Sequence, residues 1–155
     1  MMTVSPINSI DYYSNLAKED YYLDGGEPVG KWAGKGALLL GLKGEVNNEA
    51  YRNVLKGYSP NGKEKLCQFA GEKHKPGWDL TFSAPKSVSV VWARASLKLK
   101  AEIQDAHEKA VRRAIKLLEK KSAFTRRGKD GNTKEKVIGL VASLFEHATS
   151  RAQDP

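Results

Sequence analysis

A chain of 155 residues, 40% apolar and 28% charged, can bury a core as one domain without covalent staples, as folded soluble proteins of this composition do. Its formal net charge of +8 favours a polyanionic partner, of which nucleic acid is the commonest, although lysines and arginines spread this widely also serve as solvated helix faces. One cysteine, Cys67, excludes an internal disulfide and fits a reducing, cytoplasmic setting; no apolar run nears the ~20 residues that span a bilayer, and MMTVSPINS lacks a basic-then-apolar leader.

In chain order, Met1 to Ile7 reads as a short strand closed by Pro6, after which Asn8 or Ser9 can cap a helix carrying Ile10, Tyr13 and Leu16-Ala17 on one face. Asp24-Gly25-Gly26 breaks the chain, and Pro28 to Gly36 reads as a glycine-rich connector around Trp32. Ala37 to Leu42 is a short helical or buried piece stopped by Gly41 and Gly44. Asn47-Asn48 begins a helix through Leu55, ended by Gly57 and the SPNG turn at 59–62. Residues 63–76 are polar and lysine-rich around Leu66 to Ala70, where a short strand and then a surface loop are expected.

Gly77 to Phe82 alternates as a strand, with Asp79 and Thr81 opposite Trp78, Leu80 and Phe82. Ser83-Ala84-Pro85 turns the chain into a helix holding Val88, Val90, Val91 and Trp92, with Ser83 suited to cap it. Leu97 to Lys120 has the clearest helical period, through Leu99, Ile103, Ala106, Ala110, Ala114, Leu117 and Leu118. Phe124 to Arg127 and Lys136 to His147 read as strands joined by the turn GKDGN at 128–132. Helices interleaved with non-adjacent strands imply an α+β fold with a largely antiparallel sheet.

Four of the six tyrosines fall within eleven positions, as Tyr12-Tyr13 and Tyr21-Tyr22. They can be packing aromatics with wet hydroxyls. An activated phenol can instead attack a phosphodiester and form a covalent link, and two pairs permit two such attacks in sequence. Asp79 alone reads as a strand-end carboxylate on a backbone N–H. Ser83, Lys86 and Ser87 combine hydroxyls, a cation and a helix start, which suits either capping or a phosphate. Trp32 and Trp78 can stack on unpaired bases, with core packing the simpler reading of both. His74 reads as a loop residue and His107 as a helix-surface residue.

The paired tyrosines, the WxGKG at 32–36, the segment DLTFSAPKSVS at 79–89 and HATSRAQDP at 147–155 together resemble the N-terminal relaxase domain of MobF-class, TrwC- and TraI-like conjugative relaxases. The resemblance covers essentially the whole chain, 1–155, with the motifs in the family's order. It implies a two-layer α+β palm and site- and strand-specific nicking and transfer of single-stranded origin-of-transfer DNA through a 5′-phosphotyrosine link. Tyr12 matches the first nucleophile and Tyr21 leads the second pair, with Tyr13 and Tyr22 as supporting partners. Asp79 matches the acidic residue beside the active site, orienting a ligand histidine or helping to deprotonate tyrosine. Ser83, Lys86, Ser87 and Arg151 are the expected DNA contacts.

A divalent metal such as Mg²⁺ or Mn²⁺ is also implied, with His147 as the first of three histidine ligands. The family's His-x-His follows directly after the Asp154-Pro155 at which the sequence stops, so an incomplete palm and weak metal binding are expected of this chain by itself. Two alternatives follow from that. One is a catalytically inactive DNA-binding remnant, and the other is half of a split relaxase completed in trans by the missing C-terminal part.

Overall fold

The computed structural model describes residues 1–10, 29–71 and 74–147. The expected helix past Ile10, all four paired tyrosines, the Asp24-Gly25-Gly26 break and Arg151 lie outside the described residues. Over the span read as one domain, backbone contacts group the chain into two compact units, Met1–Pro6 with Trp78–Ile138, and Ile7–Gly77 with Gly139–Pro155.

The first unit opens with strand β1, Met2–Pro6, antiparallel to β3, Trp78–Phe82, in a register that sets Met2 opposite Phe82 and Pro6 opposite Trp78. Pro6 stands at the last rung, where the missing N–H costs least. The ladder is tied once more at its other end, where the Ser83 N–H donates to the Met1 carbonyl at 2.9 Å and the Met1 ammonium donates to the Ser83 carbonyl at 2.7 Å. Helix α3, Lys86–Arg94, follows the turn. Ser83 does not cap it, contrary to expectation; Pro85 occupies the cap position without a side-chain bond, and the backbone of Ser83 is committed to Met1.

Ser96 caps helix α4, Leu97–Ser122, its hydroxyl accepting from the Leu99 N–H at 3.4 Å. The covered stripe of α4 is rotated from the predicted one. Ile115 and Glu119 are buried and Ile103, His107, Val111 and Leu118 half-buried, while Leu117 is 58% exposed and Ala106 and Ala110 are exposed. Apolar area decides this: covering alanines removes little surface from water, whereas Ile103, Val111 and Ile115 together remove much more. Val88 and Val91 of α3 line one cavity with Ile103 of α4, and the Lys100 ammonium sits 5.0 Å from the centre of the Trp92 ring. On the solvent side, Asp105–Lys109 and Glu108–Arg112 form ion pairs one turn apart at 2.6 and 2.7 Å, worth about 0.3–0.5 kcal/mol each.

Buried Ala123 leads into strand β4, Phe124–Arg127, which pairs antiparallel with β5, Thr133–Lys136, through a short 3₁₀ turn at Lys129–Gly131. The strand expected from Lys136 to His147 is therefore wrong in its bounds. The hairpin register ends at Phe124 opposite Lys136, Gly139 interrupts the run, and only Ala142–Leu144 resumes as strand β6, in the second unit.

In that unit β6 pairs antiparallel with β2, Lys31–Ala33. The expected connector thus contains a strand. Three residues carry too little local pattern to announce one, and its partner is remote in sequence. Two glycines permit the approach. A Cβ on Gly30 would overlap the Phe145 ring, and one on Gly36 would lie 2.8 Å from the Leu140 carbonyl carbon, against which the Gly36 N–H already donates to the Leu140 oxygen at 2.9 Å. Among the described residues this unit also holds helix α1, Lys35–Leu39, and helix α2, Asn48–Leu55. Asn47 caps α2, its side-chain oxygen accepting from the Ala50 N–H at 3.1 Å.

Trp32, Ala37, Leu42, Val46, Tyr51 and Leu55 form the core here, with Ile7, Ile10, Leu40, Ala50, Val54 and Phe145 packed on it. The Tyr51 ring meets Phe145 edge-on at 5.6 Å and Trp32 at 6.1 Å, the tilted geometry that ring quadrupoles favour.

The strand expected near Leu66 to Ala70 is absent. Instead the segment folds back on the end of α2: the Leu66 N–H donates to the Gly57 carbonyl at 2.9 Å and the Gly71 N–H to that of Lys56 at 2.8 Å. Backbone groups satisfied by a helix end have no ladder to join. Every pairing among the described strands is antiparallel, in three two-stranded ladders accompanied by helices, so the α+β class with antiparallel sheet holds.

Candidate functional site

The segment at 79–89 is a strand, a turn and a helix start in immediate succession. Asp79 lies within β3 opposite Ser5, half-buried. Ser83 is the first residue past the strand, exposed, with both of its backbone groups held by Met1, while the cap position of α3 falls to Pro85. Lys86 and Ser87 open α3, exposed. The first helical bonds run from the Val88 and Ser89 N–H groups to the Pro85 carbonyl, so the N–H groups of Lys86 and Ser87 precede the helix's own ladder. The structure therefore brings Asp79, Ser83, Lys86 and Ser87 onto one strand–turn–helix of the first unit.

His147 belongs to the second unit, three residues past β6, half-buried and with its Nε2 shielded from solvent. Among the described residues no group of three histidine, cysteine, aspartate or glutamate side chains comes together as a metal site, and a single imidazole does not fit the ligand set of a divalent ion.

The tryptophans part company. Trp32, 8% exposed, is core, as the simpler reading had it; Trp78, 67% exposed at the end of β3, is not, and its ring is open to stacking. Periodicity assigned Trp78 to the covered side of its strand, but the ladder ends at that residue, so no neighbouring rung covers it. His74 is a loop residue as expected and approaches the only cysteine, its Nδ1 lying 3.3 Å from the Cys67 sulfur beneath Gly57; burial holds the imidazole below the usual histidine pKa. Among the described residues no helix is long and apolar enough to cross a membrane.

The family model described as TrwC relaxase matches residues 8–155. The chain belongs to the TrwC relaxase family. The multifunctional conjugation protein TraI of Escherichia coli is 43% identical to this TrwC-family chain over 149 residues, covering 94% of the chain and 8% of TraI. Among solved structures, the conjugative relaxase TrwC in complex with oriT DNA, metal-free, superposes with a TM-score of 0.75 at 33% identity, covering the whole chain and 52% of that one. A metal-bound structure of TrwC with oriT DNA matches at 34% identity with a TM-score of 0.75, covering the whole chain and 53% of that one. The chain thus spans a small part of the curated relative and about half of the solved relaxases. In this TrwC-family chain, DLTFSAPKSVS is β3, the turn and the first residues of α3.

Proposed function

We propose that this chain acts in site- and strand-specific nicking and transfer of DNA during conjugation, with single-stranded origin-of-transfer DNA as substrate, in the cytoplasm. The observation that carries the reading is a fold matching, over the whole chain and at 33% identity, a relaxase solved with oriT DNA. In this reading the Tyr12 hydroxyl attacks the scissile phosphorus. The bond from phosphorus to the 3′ oxygen breaks, the 5′ phosphate stays esterified to tyrosine, and the phenol proton passes to a base while the 3′ oxygen takes up a proton. Asp79 is the carboxylate assigned to that proton or to orienting a histidine. Tyr21 performs the second transfer, with Tyr13 and Tyr22 supporting the pair. Ser83, Lys86, Ser87 and Arg151 hold phosphates, Lys86 and Arg151 through charge, Ser83 through its hydroxyl, and Ser87 through its hydroxyl and first-turn amide.

His147 is the ligand this chain offers a divalent ion such as Mg²⁺ or Mn²⁺. Since one imidazole does not fit such an ion, the steps assigned to the chain are nucleophilic attack, proton transfer and phosphate contact. The same observation favours a second reading, a chain that binds DNA without cutting it or cuts only when a further polypeptide completes the ligand set. The deciding assay incubates a single-stranded oriT oligonucleotide with the chain in Mg²⁺ or Mn²⁺, beside Tyr12→Phe and Tyr21→Phe. A covalent protein–DNA band that Tyr12→Phe abolishes is the expected result. DNA bound without any covalent band would leave the second reading in its place.

A further inference from the structure

The second unit pairs a nucleophile with a base that the strand-transfer steps do not use. Cys67 Sγ lies 3.3 Å from His74 Nδ1. The segment that carries both is fixed by its backbone: the Leu66 N–H donates to the Gly57 carbonyl, the Gly71 N–H to that of Lys56, and the His74 N–H to that of Gly71 at 3.1 Å. Gly57 stands over the pair with a φ of 82°, and a Cβ there would lie 2.7 Å from the sulfur and 3.2 Å from two ring carbons of His74. Glycine is thus required twice at this position, for the left-handed backbone and for the room in which thiol and imidazole meet.

A cysteine kept only for packing is fully buried in apolar surroundings and inert. Cys67 is half-buried, between exposed Leu66 and Gln68, so a small molecule can approach it. A thiol and a base within hydrogen-bond reach form the arrangement that activates the sulfur. Burial holds His74 below the usual histidine pKa, so at neutral pH its ring is uncharged, and the tautomer with its hydrogen on Nε2 leaves Nδ1 to accept the thiol proton.

We propose that Cys67 is an oxidative modification site, its thiol activated by His74 and converted by small hydroperoxides to a sulfenic acid. The sulfur attacks one oxygen of the peroxide, the S–O bond forms as the O–O bond breaks, and the thiol proton passes to His74 Nδ1. The imidazolium returns that proton to the departing hydroxide as water. Sulfur gives up the two electrons that the peroxide gains. With one cysteine in the chain the product closes no internal disulfide, so it persists until an external thiol reduces it.

The test uses the full chain, reduced and freed of small thiols. The second-order rate of Cys67 alkylation by iodoacetamide is measured on the folded protein and on the same protein in urea, where the thiol is open but His74 no longer stands beside it. Hydrogen peroxide treatment, followed by a 1,3-dione trap and intact mass, reads the sulfenic acid itself. The folded chain should be alkylated about tenfold or more faster than the unfolded one, the roughly 10²–10⁴-fold gain from a positioned base being offset in part by half-burial. His74→Asn keeps a hydrogen-bonding group near the Nδ1 position and removes the base. It should fall to the unfolded rate or below and yield no trapped adduct at a peroxide concentration that labels the parent. Lys75→Gln, at the exposed cation next in sequence, should react as the parent does. A folded rate at or below the unfolded rate overturns the proposal, and that comparison needs no variant, so it decides even where His74→Asn melts. Labelling of folded His74→Asn as fast as the parent, or an equal loss in Lys75→Gln, overturns it too.

Discussion

Gly36→Ala sets local propensity against tertiary packing, and the structure says which prevails. Gly36 is the second residue of α1, and its φ is not in the left-handed region, so an alanine there is conformationally permitted. By helix propensity alone the change should stabilise by up to about 1 kcal/mol. The added Cβ would, however, lie 2.8 Å from both the carbonyl carbon and the oxygen of Leu140, and 3.1 Å from the Gly139 oxygen. These are backbone atoms, which cannot rotate away as a side-chain tip can. Overpacking of this kind costs about 1–3 kcal/mol. The 2.9 Å hydrogen bond from the Gly36 N–H to Leu140 must lengthen as α1 and residues 139–140 part, with a further loss of about 1 kcal/mol. The propensity gain offsets only that last amount, so the net effect is destabilisation by about 1–3 kcal/mol. Urea unfolding followed by circular dichroism and tryptophan fluorescence measures it, with Gly41→Ala as the comparison. Gly41 has open space around its Cβ position but a φ of 75°, so it should lose about 1 kcal/mol to backbone strain alone. A Gly36→Ala protein more stable than the parent would refute the close approach of α1 to residues 139–140.

Two further outcomes are expected. Burial lowers the His74 pKa below 6.5, so between the folded value and about 6.5 the unfolded chain binds a proton that the folded chain refuses; stability should be full above about 6.5 and decline as pH falls through that window. In His74→Gln that part of the acid sensitivity should vanish, as read from urea midpoints at about pH 7.5 and pH 5; an identical pH profile would contradict it. Trp78→Ala, removing a ring that is 67% exposed, should change stability by less than about 0.5 kcal/mol yet weaken single-stranded DNA binding by about 1–3 kcal/mol at constant salt slope. A fall in melting temperature with unaltered affinity would return Trp78 to a packing role.

What could be read from the residues in advance was what the residues decide locally. Asn47 announced the start of α2 because its side chain bonds three residues on, and Trp78 to Phe82 announced β3 by alternation. The long helix α4 was legible in extent but not in facing, since its period is satisfied by two neighbouring stripes, and burial of Ile115 with half-burial of Val111, both outside the predicted stripe, chooses between them. Strand β2 was illegible, because Lys31–Ala33 becomes a strand through Ala142–Leu144 and not through its own pattern. The segment 63–76 misled for the opposite reason: Leu66 to Ala70 offers apolar residues a strand could use, but the Leu66 amide is taken by Gly57 at the end of α2 and the Ala70 amide by Cys67. For the candidate site, the motif located Asp79, Ser83, Lys86 and Ser87 correctly on one strand–turn–helix. What it could not show is that Met1 occupies the backbone of Ser83, because that bond joins residues 82 positions apart in the sequence.

The ladder between β2 and β6 also fixes an order of events during synthesis. Trp32 is paired with Ser143, so when β2 leaves the ribosome its partner has yet to be translated, and the edge of KWA must wait through the making of Trp78–Ile138, the larger part of the first unit. Chain segments of such distant pairing close late and slowly, because loop-closure entropy is spent before any contact repays it. Until Phe145 has emerged, Tyr51 lacks the ring against which it packs edge-on. The second unit is thus begun early and finished last. In the interval its half-built aromatic core is the part of the nascent chain most open to a chaperone or to aggregation.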